Sequence, residues 1–132
     1  MKKILLLLLP VVLMIAASCG KEKTSERFQL LTAHVWASDS LLADGVKADG
    51  PGQILEKFKG DVTFREDGTG TFGQYSGTWV FTDNETNLAI DSPDLPITLP
   101  AHIVELTANS LKVTLPYPGA TIINVRMTFK PK

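Results

Sequence analysis

Apolar and polar positions alternate most regularly in the middle of the chain, over Asp61–Asp91 (DVTFREDGTGTFGQYSGTWVFTDNETNLAID). Four short runs there, Val62–Arg65, Thr69–Phe72, Thr78–Phe81 and Asn87–Ile90, are rich in β-branched and aromatic residues. They are separated by Glu66-Asp67-Gly68, by Gln74–Gly77 and by Asp83–Thr86. Asp-Gly between alternating apolar residues favours a hairpin, because a primed turn needs positive φ and matches the twist of its strands. The stretch therefore predicts a meander of three successive hairpins.

The flanking segments extend the pattern. Arg27–Leu31 spaces its apolar positions as a single helical or 3₁₀ turn would. Val35–Leu42 predicts a strand carrying Trp36, although its two faces are poorly distinguished. In the long connection Asp44–Gly60, Ile54, Leu55 and Phe58 fall at i, i+1 and i+4, which suits one side of a helical turn or a short strand. Ser92–Pro100 carries three prolines, which argue against a central strand. Next come a hairpin, His102–Leu106 with Leu111–Leu115, and a last strand over Thr121–Phe129. That strand places Ile123, Val125, Met127 and Phe129 on one face and Ile122, Asn124, Arg126 and Thr128 on the other.

Eight sequential antiparallel strands predict an all-β up-and-down barrel or a sandwich. Closure favours the barrel because it removes both sheet edges. If direction alternates strictly, the turns at Asp67-Gly68, Asp83–Thr86 and Thr107–Ser110 share one end. Asp44–Gly60, Gln74–Gly77, Ser92–Pro100 and Pro116–Gly119 share the other. The second end then holds both long loops, six of the eight prolines and both tyrosines, Tyr75 and Tyr117. Such an end reads as a loop-lined mouth, the usual ligand site of small barrels. Candidate contacts are Phe58, Tyr75, Leu95, Ile97 and Tyr117. Tyrosine suits a mouth because its ring is apolar at one end and hydrogen-bonds at the other.

The N-terminus is an address rather than part of the fold. Lys2-Lys3, the apolar run Ile4–Ile15 and the small residues Ala16-Ala17-Ser18 lead to Cys19, the only cysteine. This run is shorter than the roughly 20 residues a membrane span needs, and it reads as a signal peptide over 1–18. Cys19 stands where a bacterial lipobox places its lipid-bearing cysteine, although Ala16 replaces the usual leucine. Lipidation would also remove the liability of an unpaired thiol in an oxidising compartment. Residues 19–26 read as a lipidated N-terminus and polar tether, and 27–132 as the barrel domain. The chain is expected in a bacterial cell envelope, anchored to the outer membrane, with the tether leaving from the short-turn end. Removing Lys2 and Lys3 from the 13 basic side chains leaves 11 against 14 acidic ones, a net charge of −3. With no basic block, nucleic acid is not an expected partner.

The residues also resemble a family. Leu30-Leu31-Thr32-x-x-x-Trp36, Val62-Thr63-Phe64 running into Asp67-Gly68-Thr69, and Ser76-Gly77-Thr78-Trp79 look like the small lipocalin-like lipoproteins of Bacteroidota, over nearly all of the chain after Cys19. The resemblance implies an eight-stranded barrel and, by analogy, binding of a small apolar or amphipathic molecule. Two departures stand out: His34 occupies the place of a glycine found in larger lipocalins, and no helix follows the last strand. In those proteins a basic side chain from the final strand covers the tryptophan, which makes an Arg126–Trp36 cation–π contact an expectation here. Trp36, Arg126, Asp67, Gly68 and Trp79 are thus structural candidates.

Catalytic chemistry is not expected. His34 and His102, the only histidines, lack partners at metal-ligand spacing, and no nucleophile elbow, phosphate loop or zinc-protease motif occurs. No cofactor or metal is expected. Two functions follow: a lipid-anchored barrel binding a small hydrophobic or amphipathic ligand, or a filled barrel binding a protein, as an inhibitor or assembly subunit. Bacterial lysozyme-inhibitor lipoproteins have a similar barrel with a Ser-Gly-x-x-Tyr loop. Here Ser76-Gly77-Thr78-Trp79 is followed by Val80, so that match fails at its tyrosine.

Overall fold

A computed structural model describes residues 25–132 of the chain; the expected signal peptide, Cys19 and the expected tether up to residue 24 lie outside the described residues. A short helix, α1 (Glu26–Thr32), precedes nine strands: β1 (Val35–Ala43), β2 (Val46–Lys47), β3 (Asp61–Phe64), β4 (Thr69–Phe72), β5 (Tyr75–Thr82), β6 (Asn87–Asp91), β7 (Leu99–Leu106), β8 (Leu111–Tyr117) and β9 (Ile123–Pro131). From β3 to β9 each strand pairs antiparallel with the next, and β1 pairs with both β3 and β9, so eight strands close into a barrel. β2 is a two-residue flap on the far half of β1, where Leu42 faces Lys47 and Ala43 faces Val46.

The meander folds with the alternation predicted, except that β5 starts at Tyr75: the turn expected over Gln74–Gly77 is Gly73-Gln74, and Phe72 pairs with Tyr75. Val62 and Phe64 of β3, Phe72 of β4 and Leu88 and Ile90 of β6 point inward. β8 contributes Leu111, Val113 and Leu115, and β9 contributes Val125, Met127 and Phe129, the face predicted from period two. The faces of β1 are illegible in sequence for a specific reason. Its pairing with β9 slips between Ser38 and Ser40, so the inward position changes parity from Trp36 to Leu41. A bulge of this kind inserts one extra residue and re-aims the side chains beyond it.

The short-turn end is closed by α1. Ser25 caps the helix by accepting from the Phe28 N–H at 3.0 Å, so Ser25 and Glu26 belong to the domain rather than to the tether. The Ser25 hydroxyl donates to the Glu85 carboxylate at 2.7 Å, and Arg27 Nε donates to the Glu85 carbonyl at 2.9 Å. These bonds seat the helix on the Asp83–Thr86 turn. Leu31 is fully buried, and its carbonyl accepts from Trp36 Nε1 at 3.0 Å. Phe28 packs on Trp79 at 5.6 Å, and Trp79 Nε1 donates to the Arg65 carbonyl at 3.0 Å.

The expected Arg126–Trp36 contact does not form. Opposite Trp36 the β9 partner is Pro131, whereas Arg126 faces Leu42, six residues along β1 and about 20 Å away at 3.3 Å per residue. Alternation also turns Arg126 outward while Trp36 is fully buried. Sequence misplaces the register because β9 runs two residues further than its apolar alternation suggests. His34 instead meets Trp36 edge-on at 5.6 Å.

The proline-rich segments also differ from expectation. β7 begins at Leu99 and includes Pro100, which faces Ala89; β8 includes Pro116 and β9 Pro131. Each lies within two residues of a strand terminus, where a missing N–H is tolerated.

Candidate ligand site at the loop-bearing end

The loop from Ala48 to Gly60 folds back over the mouth of the barrel. Its two limbs are tied to β1: the Ala48 N–H donates to the Leu41 carbonyl, the Ser38 N–H donates to the Gly60 carbonyl, and the Gly60 N–H donates to the Ser38 hydroxyl, all at 3.0 Å. Between them a 3₁₀ turn, Glu56–Phe58, carries Phe58 inward. Leu55 and Phe58 are buried, but Ile54 is 44% exposed, so the expected three-residue apolar face splits in two. A 3₁₀ turn places residues three apart on one side, which joins Leu55 to Phe58 and leaves Ile54 out.

The 3₁₀ turn is docked through the backbone of the β4–β5 turn. The Gln74 N–H donates to the Lys57 carbonyl at 2.7 Å. Gly73 adopts φ +64°, and a Cβ there would lie 2.6 Å from the Phe58 carbonyl carbon and run into the Lys57 carbonyl oxygen. Only glycine meets both demands, positive φ and close backbone approach.

Phe58 therefore plugs the mouth. Its ring lies 4.8 Å from Tyr75 at the start of β5 and 6.2 Å, edge-on, from Tyr117 at the end of β8. Around the barrel β6 and β7 stand between those strands, so one side chain touching both spans the opening. Beneath it lies a cavity of about 30 Å³. Its lining is entirely apolar, and Phe58 is the one lining side chain that comes from a loop rather than a strand. The volume suits little more than a water molecule, and an apolar void of this kind stays dry.

Of the five candidate contacts, the fold thus brings Phe58, Tyr75 and Tyr117 together. Leu95 is buried with the core but does not line the cavity, and Ile97 is 45% exposed. Both tyrosines are half-buried, and neither phenol is hydrogen-bonded to another described residue. Burial raises the Tyr117 pKa above 10.0; the charge of Tyr75 adds to that rise, and the Lys57 ammonium opposes it. Lys57 is exposed and forms no ion pair among the described residues. Sequence reading missed Lys57, because nothing in its spacing shows that the 3₁₀ turn would carry it to the tyrosines.

At the opposite end, Asp67 and Gly68 form the β3–β4 turn. Asp67 accepts from the Thr69 N–H at 3.0 Å and the Thr69 hydroxyl at 2.7 Å, and these bonds hold its pKa below the ordinary 3.8. Gly68 has φ +88°, as the turn requires. His102 bonds Asn87 at 2.7 Å on the barrel exterior. Among the described residues, no three His, Cys, Asp or Glu side chains gather as metal ligands. The sequence matches no protein-family model and no curated protein.

Proposed function

We propose that this chain is a non-enzymatic, lipocalin-like lipoprotein of a bacterial cell envelope, anchored through Cys19, that binds a small hydrophobic or amphipathic ligand at the loop-bearing end of its barrel. One observation carries the ligand reading: an all-apolar interior whose single non-strand wall is Phe58, a side chain on a docked loop. Strand residues cannot leave a closed barrel without breaking its ladder. A loop-borne plug can, and its departure joins the void to the mouth.

The anchoring reading is supported by placement. Ser25 sits at the short-turn end against Glu85, and the six residues from Cys19 to Thr24 would reach at most about 20 Å if extended. The mouth then faces away from the lipid. Outer-membrane residence is part of the same proposal and rests on Cys19 as a lipid-bearing residue.

A second reading has its own support. In this conformation the barrel is nearly filled, and Val46, Ile54, Ile97 and Ile122 are exposed around the mouth end. Such a rim suits a protein partner. Native mass spectrometry of protein made from residue 19 onward separates the two. A small molecule retained by the folded protein supports the ligand reading. A bare chain, together with one stoichiometric protein recovered from envelope extract, supports the second.

A further inference from the structure

We propose that the short-turn end carries a second site, on the outside of the barrel, for a small free methylated ammonium cation. It is separate from the mouth and does not depend on what the interior binds.

The site exists because two neighbouring strands differ in length. β4 pairs with β5 only over Tyr75–Thr78, whereas β5 runs on to Thr82, so its last residues lack a strand neighbour on that side. A groove of about 310 Å³ lies there, between Phe28 of α1, the Glu66–Gly68 turn and Trp79–Phe81 of β5. That volume is at the lower end of small-molecule pockets. Trp79, 6% exposed, is its floor. Phe28 lies over the indole at 5.6 Å and 33°, and Phe81 meets it edge-on at 5.5 Å and 87°. Both phenylalanines are half-buried, and Trp79 is their one ring contact among the described residues, which leaves aromatic surface open to the groove.

The rim sets the charge of the occupant. The Trp79 N–H donates to the Gly68 carbonyl at 2.9 Å, which holds the acidic turn against the strand that bears the indole. Glu66 and Asp67 form no ion pair among the described residues, and both bonds from Thr69 go to Asp67 Oδ1, leaving Oδ2 outside them. Of the nearby cations, Arg65 is exposed and does not line the groove, and Arg27 gives its Nε to the Glu85 carbonyl. Aromatic faces attract a cation, and the two carboxylates add to that attraction. Methylation follows from the shortage of acceptors: the Gly68 carbonyl is taken by Trp79, and the Arg65 carbonyl accepts the Trp79 indole N–H. A primary ammonium brings three donors to satisfy, whereas N-methyl groups bring none and pack on Phe28, Val80 and Phe81. A phosphate attached to the cation would meet Glu66 and Asp67 as like charges, which favours a free cation over a phospholipid head.

The test is a titration of the chain from residue 19 with choline, followed through the indole N–H resonances of its two tryptophans. Choline should shift the Trp79 resonance and leave that of the fully buried Trp36 in place. Its uncharged isostere, 3,3-dimethylbutan-1-ol, should bind at least about tenfold more weakly, and phosphocholine should also bind more weakly than choline. Glu66→Gln, an exposed change that spares the fold, and Phe81→Leu should each weaken choline by at least about threefold. Equal affinities for choline and the isostere, or a choline affinity unchanged in both variants, would overturn the cation site. Tighter binding of phosphocholine than of choline would overturn the free cation. No movement of Trp79 in about 50 mM choline would overturn the site altogether.

Discussion

Replacing Phe58 with alanine tests the plug directly, because the same change should weaken the fold and open the site. Phe58 is 4% exposed, so truncation forfeits most of a buried phenylalanine's transfer energy, about 2 kcal/mol. The ring also leaves a void. At about 24 cal/mol per Å³, a residual void of roughly 80 Å³ adds about 2 kcal/mol more. The total of about 4 kcal/mol lies within the range for buried Phe→Ala changes. With a urea m value of about 2 kcal/mol/M, the unfolding midpoint should fall by about 2 M. The void joins the existing 30 Å³ and removes the need to displace a ring. Xenon, which enters small dry apolar cavities, should therefore bind the variant at least tenfold more tightly than the wild type. A midpoint shift below about 0.5 M, or an unchanged xenon affinity, would refute the account of Phe58 as a plug over the apolar void.

Gly73→Ala should undock the 3₁₀ turn, since alanine at φ +64° collides with the Lys57 and Phe58 carbonyl groups; a loss above about 1 kcal/mol and faster proteolysis within residues 48–60 are the expected readouts. Arg126→Ala should change stability by less than about 0.5 kcal/mol, because the side chain is exposed and far from Trp36; urea denaturation checks this. Asp67→Asn should lose stability at neutral pH. The folded pKa of Asp67 is lowered, so its contribution is fully present above 3.8 and is lost as pH falls through the folded value. The gap between variant and wild type in chemical denaturation should narrow in that acid window. Tyr117 titrates in the opposite sense: its raised pKa gives stability that is present below pH 10.0 and lost as pH rises through the folded value. Tyr117→Phe should flatten that alkaline loss in pH-dependent denaturation.

The barrel and its polarity were legible because they rest on local signals. Period-two alternation from Val62 to Ile90 and from Ile123 to Phe129 fixes which face is inside, and a one-residue slip would have exposed the whole set. Asp67-Gly68 announces its own turn. What stayed hidden depends on registers and contacts between distant segments. The Trp36–Arg126 pairing failed because nothing local sets how far β9 runs along β1, and the bulge at Ser38–Ser40 removes the alternation that would have shown it. The plug was half visible: Phe58 is apolar and in the right loop. Its seat depends on Gly73 and Gln74, more than a dozen residues later in the chain, whose role is only a φ angle and one backbone N–H.

The two ends of the barrel are closed by different devices, and the difference decides which one yields first. At the short-turn end α1 is held by its Ser25 cap, by two bonds to Glu85 and by the Trp36 indole donating to Leu31. Lifting it strands a buried indole N–H, which costs about 1–3 kcal/mol beyond the lost packing of Leu31 and Phe28. At the mouth the 3₁₀ turn leans on the β4–β5 turn through one backbone bond, from Gln74 to Lys57, and the limbs of its loop are tied to β1 at Ala48 and Gly60, beside exposed residues where water replaces what is lost. The main expense of moving the turn is therefore the burial of Phe58 and of Leu55 beside it, and an apolar ligand entering the same space restores part of that term. Opening at the mouth is thus compensated by the proposed ligand itself, while opening at the helix is compensated by nothing that the barrel would bind. On the proposed reading, exchange of ligand belongs to the loop-bearing end, away from Cys19.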